Sequence, residues 1–211
     1  MHMRWPRYGL PPVSGLARAR AWFGGALTVL LLMVAALSQA AAVATATTRD
    51  PAQYFFDQTF GDFSEELALA RDEGKQGILL MFELDECPFC HRMKTTVLNQ
   101  PSVQDYFKEH FLIFAVDVEG DVEVTTFSGD TMSQKDFALK ELRVRATPVF
   151  AFFDLDGNLV ARYTGATRDA AEFMLLGRYV VEGAYKDTTF TKYKRTEPVG
   201  ADASSAPAAG G

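Results

Sequence analysis

The sequence predicts an α/β fold, because short apolar runs typical of buried strands alternate with segments that carry helix signals. Each of three continuous apolar runs is long enough for one strand, and they occupy residues 77–82, 111–118 and 149–153. Helix starts between these runs are marked by capping residues or by proline: Asp62, Pro101, and Ser133 with Asp136. The turn sequence Asp156-Gly157-Asn158 predicts that the third strand is followed by an antiparallel one.

The first 46 residues differ from the rest of the chain. Residues 1–20 carry four arginines and no acidic residue, and no charged residue follows until Arg49. A basic start, an apolar centre and a small-residue exit predict a secretory signal peptide, with cleavage after Ala40, Ala44 or Ala46. Because the uncharged stretch is long enough to span a bilayer, an uncleaved membrane anchor is the alternative. Either reading predicts that the bulk of the chain lies in the periplasm.

Length and charge narrow the remaining possibilities. The 211 residues predict one domain, at 47–195, followed by a disordered tail at 196–211 that is rich in Ala, Ser, Pro and Gly. Without the four arginines of the export segment, 17 basic residues face 27 acidic ones, a net charge of −10. So acidic a domain will not bind nucleic acid through general electrostatics.

Two cysteines, Cys87 and Cys90, are the chemistry-bearing feature of the sequence. Exported proteins usually use cysteines as structural staples, but a bridge across two residues closes a small loop and adds little stability. The pair follows a predicted strand and opens a predicted helix, where unpaired N–H groups and the helix dipole favour a thiolate. We therefore expect Cys87 to attack a substrate disulfide and the more enclosed Cys90 to resolve the mixed disulfide. Pro88 suits the first helical turn.

A second feature is the pair Thr147-Pro148, about sixty residues after the cysteines and directly before the third apolar run. An ordinary trans proline at a strand start is the simpler reading. Together with the cysteine pair upstream, the position favours a cis bond. That bond would leave the backbone of Thr147 free to pair with an extended substrate.

These motifs resemble those of the thioredoxin superfamily over roughly residues 60–185. The resemblance implies a three-layer α/β/α sandwich with a central mixed sheet. It also implies that Thr147 and Pro148 face the disulfide and contact the substrate, together with Pro88 and Phe89 between the cysteines. The insertion between Val118 and Ser133 and the segment 179–195 are most similar to SoxW-type periplasmic thioredoxins, which are associated with bacterial sulfur oxidation.

The resemblance further implies a thiol–disulfide oxidoreductase that is a monomer and needs no metal or cofactor beyond the Cys87–Cys90 disulfide. Its partners would be substrate proteins and, as electron donor, a membrane thiol transporter of the CcdA or DsbD kind. Two departures stand out: Met81 replaces the buried acid of thioredoxins, and Glu86 replaces the tryptophan before the first cysteine. We expect Glu83 and Asp85 nearby to form a solvated rim.

Other functions stay open at this point. Cys87-Pro88-Phe89-Cys90-His91 is formally a c-type haem attachment sequence, with Met132 or Met174 as the distant ligand. A zinc site is weaker, because the cysteines and His91 or His110 lack a second pair at the usual spacing. A binding module that does not use the cysteines is a third class. Within the redox class we expect a reductant of partner disulfides, with a thiol oxidant as the alternative.

Overall fold

A mixed four-stranded sheet lies at the centre of the computed structural model, which describes residues 47–196. The strands in chain order are β1 (Gly77–Glu83), β2 (Phe111–Asp117), β3 (Glu123–Thr125), β4 (Thr131–Ser133), β5 (Val149–Phe153) and β6 (Leu159–Thr164). The central sheet has the order β2-β1-β5-β6, in which β1 is parallel to β2 and antiparallel to β5. β6 is antiparallel to β5. The predicted mixed sheet is confirmed.

The helices in chain order are α1 (Pro51–Tyr54), α2 (Phe63–Asp72), α3 (Pro88–Thr96), α4 (Pro101–His110), α5 (Gln134–Asp136), α6 (Ala170–Val181) and α7 (Phe190–Thr196). The starts of α2, α4 and α5 are those that the sequence marks at Asp62, Pro101 and Ser133. The Asp62 carboxylate accepts the first free N–H groups of α2, and the Ser133 hydroxyl accepts that of Asp136 in α5. α5 continues as a π-helical turn to Glu141. Within residues 47–196, every helix is too short or too polar to cross a bilayer.

Alternate side chains of β1 pack on opposite faces of the sheet. Ile78, Leu80 and Phe82 belong to one apolar cluster, which includes α2 and the π-helical turn. Leu79 and Met81 belong to the other, which includes α3, α4 and α6. Because both faces of the strand are covered by helices, the molecule has the predicted three-layer α/β/α arrangement.

The insertion between Val118 and Ser133 has regular structure of its own. It contains the two-stranded hairpin formed by β3 and β4, which pair antiparallel. The hairpin is attached to the start of α2, because Thr125 N–H donates to the carbonyl of Gly61 at 2.8 Å. Each strand has three residues, and Val124 is the one buried side chain of the two strands, so the segment lacks the apolar run that would predict a strand.

The C-terminal segment contains two helices separated by a turn. Asp169 is the N-cap of α6, so the helix begins at Ala170, and Gly183 reverses the chain with a left-handed φ of 71°. A 3₁₀ turn and α7 follow, and α7 packs back through the buried Tyr193, whose hydroxyl donates to Glu182 at 2.6 Å. The predicted export segment and the tail after Thr196 lie outside the described residues.

The outer edge of β2 is occupied by polar groups from two other segments. Asp57 N–H donates to the carbonyl of Ile113 at 2.7 Å, and the Asp57 carboxylate accepts Ile113 N–H at 2.9 Å. Four residues further along, the Gln134 side chain accepts Asp117 N–H at 2.7 Å. Lys108 completes the first of these contacts by an ion pair with Asp57 at 2.5 Å. The edge is therefore covered at Ile113 and at Asp117.

A first prediction concerns the close approach of α4 to α6. A Cβ atom at Gly177 would lie 2.7 Å from the Phe107 ring and 2.9 Å from the Tyr106 ring. The Phe107 ring cannot withdraw, because it is buried and stacked on Phe173 with centroids 4.4 Å apart. We expect Gly177→Ala to lower the free energy of unfolding by about 1–3 kcal/mol in a urea titration.

Helix propensity alone would give the opposite sign, since alanine favours a helix over glycine by about 1 kcal/mol. Ala171→Gly on the exposed side of the same helix measures that propensity in place. A stabilising Gly177→Ala substitution would contradict the packing argument.

A second prediction concerns Glu172, which holds α7 against α6. Its carboxylate accepts Arg168 N–H at 2.7 Å and pairs with the Lys194 ammonium. Burial raises the pKa of Glu172, but these two partners outweigh burial, and the pKa lies below its usual value of 4.5. We expect Glu172→Gln to lower the free energy of unfolding by about 1–3 kcal/mol at neutral pH.

The sign of the pH dependence follows from the lowered pKa. The carboxylate stabilises the fold above its unfolded-state pKa, and this contribution disappears as the pH falls through the lower folded-state value. The difference between wild type and Glu172→Gln should therefore narrow below about pH 4.5. Glu109→Gln on the exposed end of α4 removes the same charge and should show no such narrowing; an equal effect there would contradict the assignment.

Candidate active site

The two cysteines lie at the connection between the central strand β1 and the helix α3. A turn follows β1 and is closed by Cys87 N–H, which donates to the carbonyl of Leu84 at 3.2 Å. Cys87 is the N-cap of α3, and its Sγ accepts the N–H of Cys90 at 3.1 Å. The two residues form a disulfide, with Cα atoms 5.2 Å apart. The predicted order of strand, cysteine pair and helix is confirmed.

Exposure differs between the cysteines and the residues between them. Cys87 is 7% exposed and Cys90 is 2% exposed, whereas Phe89 is 60% exposed and Pro88 is exposed beside it. After reduction, the N-cap position offers the Cys87 sulfur a backbone N–H group and the positive end of the helix dipole, both of which favour a thiolate. This geometry suits Cys87 for attack and the more enclosed Cys90 for resolution.

Thr147 and Pro148 lie at the same end of the sheet as the cysteines, where β1 ends and β5 begins. β5 begins at Val149, which pairs with Phe82 near the end of β1, so the antiparallel register brings the residues before Val149 beside the end of β1. The Thr147–Pro148 bond is cis, as the sequence prediction requires. Pro148 is buried and its carbonyl accepts Gly165 N–H at 2.8 Å, while Thr147 is half-buried.

The surroundings beneath the disulfide are apolar. Met81, which stands where thioredoxins carry an acid, is fully buried in the same cluster as Cys87, Cys90 and Met93. The Thr167 hydroxyl contacts the Met93 sulfur at 3.6 Å. Between the disulfide and β1 the structure thus places thioether and hydrocarbon groups at the position of the usual carboxylate.

Glu83 differs from the expected solvated rim. Its side chain is 17% exposed and is paired with Lys94 of α3, whose Nζ lies 2.8 Å from Oε1 and 2.6 Å from Oε2. Lys94 is one helical turn beyond Cys90, so this pair joins the end of β1 to the active-site helix. Asp85 is exposed, as predicted. Sequence reasoning missed the pair because Glu83 and Lys94 meet through the fold, eleven residues apart.

The structure brings the residues of the haem alternative together only in part. His91 is exposed on α3, and Met132 packs in the cluster on the opposite face of the sheet from the cysteines. Met174 packs on the cysteine side. Among residues 47–196, no group of three or more His, Cys, Asp and Glu side chains is arranged to hold a metal ion.

Comparisons with known proteins agree with this arrangement. The model of the thioredoxin-like domain family matches residues 63–180, more than half of the chain. No curated protein matches.

Several solved structures are similar in part. A thioredoxin-fold protein from Helicobacter pylori is 25% identical, with a TM-score of 0.49 over 58% of this chain and 82% of its own. A thioredoxin from Thermus thermophilus is 28% identical, with a TM-score of 0.44 over 64% and 88%. The reduced DsbD C-terminal domain from Neisseria meningitidis is 20% identical, with a TM-score of 0.41 over 54% and 88%.

The family match spans the strand that leads to the cysteines, the disulfide itself and the strand after Pro148. The chain therefore belongs to the thioredoxin-like domain family, as a thiol–disulfide oxidoreductase.

Proposed function

We propose that the protein is a periplasmic reductant of disulfides in partner proteins. The observation that carries the proposal is the Cys87–Cys90 disulfide at the N-terminus of α3, with Phe89 exposed beside it. A thiol at this N-cap is favoured as a thiolate, and an exposed aromatic ring offers a partner protein an apolar contact. The basic and apolar pattern of residues 1–46 supports export.

The reaction proceeds in two exchanges that conserve electrons. The Cys87 thiolate attacks one sulfur of the substrate disulfide, forming a mixed disulfide and releasing the other substrate sulfur as a thiolate. The Cys90 thiolate then attacks the Cys87 sulfur, which releases the second substrate thiolate and forms the Cys87–Cys90 disulfide. Two electrons pass to the substrate, and a membrane thiol transporter of the CcdA or DsbD kind returns two electrons to the protein.

The resemblance to SoxW-type thioredoxins supports a role in sulfur oxidation, with cytochrome c maturation as a second pathway of the same chemistry. The segments that carry this resemblance form ordered elements, the β3–β4 hairpin and α7. We expect Thr147, Pro148, Pro88 and Phe89 to contact the substrate and the protein to act as a monomer. A haem absorption band in the purified exported protein would contradict the proposal.

The order of the two cysteines is tested by trapping. In Cys90→Ser the resolving thiol is missing, so mixed disulfides between Cys87 and partner proteins should accumulate and be released by dithiothreitol. Cys87→Ser is the matched control and should trap little. Trapping by the Cys87→Ser variant alone would contradict the assignment of Cys87 as nucleophile.

The direction of electron flow is tested by the reduction potential. Equilibration with glutathione buffers should give a value more negative than about −180 mV, in the range of reductants and isomerases rather than near the −120 mV of strong oxidants. A value near −120 mV would identify a thiol oxidant instead. If serine at both cysteines leaves the biological role intact, the protein is a binding module.

A further inference from the structure

Two exposed carboxylates immediately precede the attacking cysteine. Asp85 and Glu86 occupy the two central positions of the turn that Cys87 N–H closes onto Leu84. Both side chains are exposed, and the first residue of the active-site helix follows directly after Cys87. Two exposed negative charges thus lie directly beside the attacking cysteine in the chain.

The segment after β2 adds three more exposed carboxylates at the end of the sheet where β1 and β2 both end. β1 and β2 are parallel and Glu83 pairs with Asp117, so both strands end side by side. Val118 N–H donates to the carbonyl of Glu83 at 3.0 Å, which ties the loop to the residue before the cysteine turn. Exposed acids follow at Glu119 and Asp121 on the loop and at Glu123, the first residue of β3. These five carboxylates, at Asp85, Glu86, Glu119, Asp121 and Glu123, are called the acidic rim below.

Cations near the acidic rim do not cancel its charge. Lys94 is already paired with Glu83. Lys135, whose N–H donates to the carbonyl of Gly120, is an exposed cation beside the loop. One ammonium against five carboxylates leaves the rim strongly negative.

The opposite side of the disulfide is basic. Arg143 and Arg145 are exposed on the segment that leads to Pro148, and His91 and Arg92 are exposed on α3. Arg92 also donates to the carbonyl of Thr167 at 2.6 Å, which fixes it beside the loop before α6. The charges around the active site are thus divided, with acids toward β2 and bases toward β5 and α3.

We propose that this division selects the substrate: the protein prefers disulfides whose reacting cysteine has basic residues on the side that faces the acidic rim. The inference rests on the proposed function, because it names the substrate class of that same site. A negative surface beside a reactive group raises the encounter rate of a positively charged partner by about 10- to 1,000-fold at low salt. Phe89 supplies the apolar contact that any partner can use, so the carboxylates decide between partners.

The test uses five disulfide peptides that differ only beside the cysteine. One has two serines on each side; two carry two lysines on the amino or on the carboxyl side; two carry two glutamates at those positions. The rate constant for oxidation of the reduced protein is measured at low salt. For one of the two positions, the lysine peptide should react about tenfold faster than its glutamate twin, and 1 M salt should remove most of the difference.

Matched variants show whether the acidic rim is responsible. Asp85→Lys/Glu86→Lys reverses the turn, and Glu119→Lys/Asp121→Lys reverses the loop. The control is Asp72→Lys/Glu73→Lys, which reverses an identical, exposed Asp-Glu pair at the end of α2, beyond the opposite end of β1. The readout is the rate constant for the lysine peptide divided by that for the glutamate peptide. A change in Cys87 reactivity alters both rate constants equally and leaves this ratio unchanged.

The inference predicts that each rim variant lowers the ratio severalfold and that the control leaves it within about twofold of wild type, because the control charges lie beyond the far end of β1 from Cys87 and Coulomb energy falls with distance. A wild-type ratio near one, or an equal fall in the control, would overturn the preference while the serine peptide is still reduced and the proposed function stands. If the wild-type protein also fails to reduce the serine peptide, both the substrate preference and the proposed function are contradicted. Near-ultraviolet circular dichroism checks that each variant is folded. One folded rim variant is enough for the test.

Discussion

The position of the reactive sulfur depends on the central strand β1. Its backbone is paired with β2 on one side and with β5 on the other, and residues Ile78 to Phe82 are fully buried between two helical layers. A strand held in this way cannot shift without breaking hydrogen bonds on both sides and packing on both faces. The turn that follows it, and therefore the first residue of α3, is fixed by the most constrained element of the molecule.

Local signals predict much of this arrangement. Asp62 and Ser133 predict helix starts because their own side chains cap the helices. Gly157 predicts its turn because glycine adopts the left-handed conformation, here with a φ of 80°. The cysteine pair needs only its position after an apolar run. The ion pair between Glu83 and Lys94 could not be predicted, since alternation along β1 says nothing about a lysine on another element. The β3–β4 hairpin could not be predicted for a related reason, because it lacks an apolar run and is attached through a backbone contact with Gly61 that the local sequence does not reveal.

Charge is distributed unusually for a site that moves protons and electrons. Met81 and Met93 make the interior side of the disulfide apolar, and the partly buried carboxylate of Glu83 is neutralised by Lys94. The unpaired acids lie instead at the exposed turn before Cys87. Electrostatics in this protein therefore acts mainly where a partner arrives, and an approaching chain meets the field before it meets the sulfur.

The covered edge of β2 has a consequence for contacts with other protein chains. An open sheet edge captures extended backbone indiscriminately as an extra strand. Asp57 and Gln134 already occupy the outward groups of Ile113 and Asp117. Extended backbone of another chain would have to displace both contacts before it could pair along this edge, which disfavours aggregation through β2.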